Sequence, residues 1–152
     1  MNLACLPRSR VNYLATLKAL DVENRRDWQA NHEGMGWTYC NQAVEAAIRA
    51  LDCHIPIGLL ANAQQEWLDS MDGAVQDWEP CDADRAVSQA ELGFPTVATL
   101  REPLHGHIAM VVPSDSPGMH VWQAGRHNYE SAPIARGFGT ANLPHVRFFT
   151  HP

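Results

Sequence analysis

The sequence predicts an α+β domain, with N-terminal helices packed on a C-terminal antiparallel β-sheet. Two observations carry that reading. Apolar residues recur at helical spacing up to Gly93. After Gly93 the pattern changes to short β-prone runs separated by Pro, Gly and Ser turn signals such as PSDSPG. Helices first and strands afterwards suggest α+β with an antiparallel sheet. A length of 152 residues suits one domain spanning 1–152.

Each element follows from local chemistry. Val11, Leu14, Leu17 and Leu20 predict a helix from about Arg10 to Ala30. The run NHEGMGW, Asn31 to Trp37, has two glycines and reads as a loop. Val44, Ala47, Ile48 and Leu51 form one apolar face of a helix over Asn41–Asp52, ended by the segment around Pro56. Further helices are expected over Leu59–Ser70 and over about Asp82–Leu92, the latter closed by Gly93. Strands are expected at Thr96–Leu100, His107–Val112, Met119–Ala124 and His145–Thr150.

Composition narrows the function classes. Seventeen acids against eleven bases give a net charge of −6, so no nucleic-acid partner is expected. No apolar run is long enough to span a bilayer, so no membrane insertion is expected. The first twenty residues place Arg8 and Arg10 where a secretory leader needs a continuous apolar core, so no signal peptide is read. Four cysteines, none in a Cys-x-x-Cys pair, do not form a disulfide framework or a usual zinc site, although one disulfide would be possible. Eight histidines turn attention to Cys–His chemistry.

A nucleophilic cysteine needs thiolate character, which a helix N-terminus favours through its free amides and dipole. Cys40 stands just before the helix expected at Asn41, with Thr38 as a nearby candidate cap. Cys53 follows the opposite end of that helix. Cys81 precedes Asp82 and Asp84, whose charges disfavour a thiolate, and Cys5 lies near the terminus. The alternative for Cys40 is a small buried residue with no chemistry.

Such a nucleophile needs an imidazole base and a group to orient it. His107 opens the most strand-like stretch, GHIAMVV, and Gly106 before it permits close approach of a neighbour. The next strand offers Gln123 as a neutral orienting group, and Asn128 in the following loop competes for that role. His105 and His107 form a His-x-His pair that lacks nearby further ligands, so no metal is expected. The remaining histidines, His32 among them, fall in loops or near strand ends.

These residues resemble a family. Thr38-Tyr39-Cys40-Asn41-Gln42-Ala43-Val44 is similar to the nucleophile motif of papain-like cell-wall peptidases of the NlpC and CHAP type. Gly106-His107-Ile108-Ala109-Met110-Val111 is similar to their GHxxxV strand. Leu60-Ala61-Asn62-Ala63 is similar to a segment of the amidase effectors of type VI secretion. The resemblance spans Trp37 to Phe149. It implies a papain-like fold with Cys40 as nucleophile, His107 as base and Gln123 as third polar residue, without a cofactor. It departs from the pattern at Gln123, where many relatives have His. It departs again at Tyr39 and Asn41, which flank the Cys where most have Asp and Ser.

The implied function is hydrolysis of an amide bond in the peptidoglycan peptide stem, with peptidoglycan as substrate and a cognate immunity protein as partner of a secreted effector. Delivery would run through a secretion apparatus or a phage holin. Two other readings stand beside it. One is a papain-like deamidase toxin acting on a protein glutamine, and the other a catalytically silent binding domain.

Overall fold

A computed structural model describes residues 7–31 and 37–152. Its helices are α1 (Arg10–Ala19), α2 (Cys40–Ala50), α3 (Ala61–Leu68), α4 (Met71–Val75), α5 (Ala83–Glu91) and α6 (Ile134–Phe138). Its strands are β1 (Glu79–Cys81), β2 (Thr96–Leu100), β3 (His107–Val112), β4 (His120–Gln123), β5 (Tyr129–Pro133) and β6 (Arg147–Thr150). The strands form one antiparallel sheet in the order β1-β6-β2-β3-β4-β5. The class is α+β, with the larger helices N-terminal and most of the sheet C-terminal, as the pattern shift at Gly93 predicts. None of the described helices is long and apolar enough to cross a membrane.

Strand β3 lies inside the sheet and all but its first residue is buried. Its run Ile108-Ala109-Met110-Val111-Val112 is apolar without alternation because both faces of the sheet are covered there. Helix α2 packs against it with a fully buried stripe of Ala43, Val44, Ala47 and Ile48. Small residues at two of those four positions bring the helix backbone close to the strand. This contact places the start of α2 beside the start of β3.

The first helix is shorter than its sequence suggests. It stops at Ala19, and Asp21 adopts a left-handed φ of 50° that a short polar side chain tolerates. A single 3-10 turn, Arg26–Trp28, follows, and the expected extension to Ala30 is absent. The buried stripe of α1 is Tyr13 and Leu17, whereas Val11 is 73% exposed. Tyr13 was hidden from an apolar count by its hydroxyl. That group is satisfied inside, donating to Val111 O (2.8 Å) and accepting from Thr96 N (3.3 Å). The pair ties α1 to β2 and β3.

Four short elements, α4, β1, β5 and α6, had no periodic signal. β1 is Glu-Pro-Cys at the sheet edge, where a proline without a donor is tolerated. β5 and α6 carry Pro133 and Gly137, residues that read as loop.

The loop between β4 and β5 is clamped by Asn128. Its Oδ1 accepts from Gly125 N (3.1 Å), and its Nδ2 donates to Val22 O and Trp28 O, each at 3.0 Å. Asn128→Ala leaves two part-buried carbonyls without a donor. We expect a loss of about 1–3 kcal/mol in stability, read as a fall of roughly 3–10 °C in Tm for a domain of this size. An unchanged melting curve would refute the clamp.

Candidate functional site

Cys40 is the first residue of α2, not the residue before it. Its N-cap is Tyr39, whose side chain makes no capping bond, and the candidate cap Thr38 is exposed. The amides of the first helical turn therefore have no side-chain oxygen from the cap. Gln64, fully buried on α3, donates from Nε2 to Asn41 O (3.0 Å), and Asn41 Nδ2 donates to Leu59 O (3.0 Å). These bonds fix the start of α2 against α3.

The Cys40 side chain is buried, and this alters the expected electrostatics. Backbone amides of Ile108, Asn41 and Cys40 around the sulfur favour the thiolate. Burial outweighs them, with a smaller contribution from the Glu102 charge, so the thiol lies above its ordinary value. The expectation of a resting thiolate at the helix terminus is corrected here, because the dipole does not offset desolvation.

His107 begins β3, and Ile108, whose amide lies at the Cys40 sulfur, is its neighbour. Gly106 precedes it with φ 66°, a conformation that favours glycine. A Cβ there would lie 2.1 Å from Asn62 Oδ1, so the expected close approach is real and Asn62 makes it. His107 Nε2 is 2.8 Å from Gln123 Oε1. The amide orientation is set by its other end, since Gln123 Nε2 donates to His127 O at 3.0 Å and a carbonyl can only accept. Oε1 must therefore accept from His107 Nε2–H, which leaves Nδ1 as the basic nitrogen of the neutral ring. Enclosure lowers the His107 pKa, opposed by the Gln123 bond and by Glu102.

Helix α6 completes the enclosure. Phe138 meets the imidazole edge-on at 4.7 Å between centroids. A Cβ on Gly137 would collide with Gln123 Oε1, so any side chain there displaces the amide that α6 seats against. Neither residue was identified from sequence, because a five-residue helix without apolar periodicity gives no signal. Of the two candidates for the orienting role, Gln123 is the one bonded to His107, whereas Asn128 bonds to Gly125, Val22 and Trp28 instead.

Replacing Gln123 with Leu keeps its bulk and deletes the acceptor. We expect the His107 pKa to fall further and the Nε2–H tautomer to lose its dominance in ¹⁵N spectra of the imidazole. Gly137→Ala, which displaces the same amide, is expected to move both readouts the same way. Spectra identical to wild type would show that the amide does not hold the ring.

Cys40, His107 and Gln123 line one cleft of about 890 Å³, together with Trp37, Leu60, Arg126 and Arg136. The other described cysteines lie outside the cleft. Cys53 is buried and receives a hydrogen bond from Arg8 Nη2 (3.1 Å). Burial pushes the Cys81 thiol up to about 11, with Asp82 and Glu79 adding to the effect and Arg85 opposing it. Cys40, Cys53 and Cys81 are free thiols, so the possible disulfide does not form among them; Cys5 and His32 lie outside the described residues. His105 lines the cleft, but the described residues include no cluster able to hold a metal ion.

A cysteine at a helix start, a neutral imidazole of defined tautomer and an amide that fixes it can together run nucleophilic acyl transfer. Compared with models of known protein families and with curated protein sequences, the chain matches none.

Proposed function

We propose that the chain is a cysteine hydrolase on a papain-like scaffold, cleaving an amide bond in the peptide stem of peptidoglycan. The observation that supports hydrolysis most directly is the relay His127 O to Gln123 to His107. It spends Nε2 on an acceptor and keeps Nδ1 basic in the cleft that also holds Cys40. The substrate class comes from the likeness of the Thr38–Val44 and Gly106–Val111 motifs to those of cell-wall peptidases.

In this reading His107 Nδ1 takes the Cys40 thiol proton as sulfur attacks the carbonyl carbon. The oxyanion rests on amides at the start of α2, including that of Cys40. Collapse breaks the C–N bond, and the leaving amine takes the proton from His107. A thioester remains. Water, deprotonated by His107, attacks it; the carboxylic acid leaves and the proton returns to Cys40. No cofactor enters the sequence of steps.

Incubation of the purified protein with peptidoglycan sacculi tests the proposal. Soluble fragments bearing one new amine and one new carboxyl group, identified by mass spectrometry, are the expected result. Intact sacculi after prolonged incubation would overturn it, and release of ammonia from a protein glutamine would transfer the same residues to a deamidase.

A further inference from the structure

The two sides of the cleft differ in charge. The β2–β3 and β4–β5 loops lie at the same end of the sheet, on either side of His107. On the β2 side stands Glu102, whose backbone is held by Asn62 through Nδ2 to Glu102 O (2.7 Å) and Glu102 N to Oδ1 (3.3 Å). On the β4 side, Arg126 in the loop and Arg136 on α6 line the cleft, and both are exposed.

The protein is acidic, and Arg10, Arg25, Arg85 and Arg147 each pair with an aspartate or glutamate of the chain. Among the described residues, the side chains of Arg126 and Arg136, like those of Arg26 and Arg101, make no ion pair or hydrogen bond; of these four, Arg126 and Arg136 are the ones that line the cleft. Two planar guanidiniums on one wall, with no acid of their own, suit bidentate capture of carboxylate oxygens. Glu102, on the far side of His107, repels the same group and so sets a direction across the cleft.

We infer that Arg126 and Arg136 form a carboxylate-binding subsite, so that the ligand of this cleft is a peptide with a free carboxylate on the β4 side of the bond offered to Cys40. This inference rests on reading the cleft as a substrate site.

Binding, separated from turnover, tests it. The Cys40→Ala protein, with Cys40→Ser as a second background, is titrated calorimetrically with an acidic stem peptide released from peptidoglycan. The same peptide with its carboxylates converted to amides is titrated in parallel. Amidation is expected to weaken binding by about tenfold or more, as for loss of a charge-assisted bidentate contact. Arg126→Gln with Arg136→Gln is expected to weaken the acidic peptide equally and to erase the difference between the two peptides. Equal binding of both peptides, binding of neither, or a preference that survives the double substitution would overturn the subsite. If the acidic peptide is bound and discriminated but never cut by the wild-type protein, the hydrolase proposal fails while the subsite stands.

Discussion

Cys40→Ala is expected to end cleavage of sacculi while the fold stays intact. The sulfur is the atom that would bond to the substrate carbonyl, and no other described cysteine lines the cleft. Loss of a nucleophile that works as a unit with its base removes most of the rate, on the order of 10⁶-fold. The structural cost is small by comparison. Cys40 is buried, so truncation to a methyl removes one sulfur from the packing between α2 and β3, worth about 1 kcal/mol. Fragment release and thermal unfolding, measured on the same preparation, separate the two effects. Wild-type digestion by the variant would refute the nucleophile assignment, and loss of folding would mark Cys40 as a packing residue. Cys40→Ser sharpens the comparison, because it fills nearly the same space with an atom that deprotonates far less readily.

The fold was legible where periodicity was long or turn chemistry strong. β2 and β3 coincide with the runs Thr96–Leu100 and His107–Val112, since β-branched residues bounded by Gly and Pro leave little choice. The apolar face of α2 was equally clear. The end of α1 is not legible, because Leu20 continues the apolar spacing and no Gly or Pro announces the stop at Asp21. In the site, the placement of Cys40 and His107 followed from helix start and strand start. Gln123 followed from strand pairing, although the bulge between Val121 and Gln123 was not visible. The enclosing layer was not legible at all. Phe138 and Gly137 act through a short helix that reaches back over β4, a long-range contact that no local pattern encodes. The protonation state was also out of reach, because the burial that raises the Cys40 thiol is a property of the packed domain.

That protonation state makes the pH profile the sharpest test of His107. Burial holds Cys40 above and His107 below their ordinary values, so the resting pair is thiol and neutral imidazole. The active form then needs His107 unprotonated. Activity should rise with pH through the lowered His107 pKa, below its ordinary 6.5, and remain level until Cys40 ionises above its own ordinary value of 9.0. A preformed thiolate–imidazolium pair would instead lose activity as His107 deprotonates. A kcat/KM that falls between pH 6.5 and 9 would therefore overturn the general-base reading. Stability should share the sign on the acid side. A histidine whose folded pKa is depressed is protonated more readily when unfolded, so its contribution is intact above 6.5 and is lost as pH falls towards the folded pKa. His151, also lowered by burial, adds to the same slope. His107→Ala should cut the rate by about 10²–10⁴-fold, abolish the acid limb of any residual activity and flatten the acid limb of stability in part, leaving the share of His151. An acid limb of the same midpoint in the variant would assign the titration to another group and remove His107 from the mechanism.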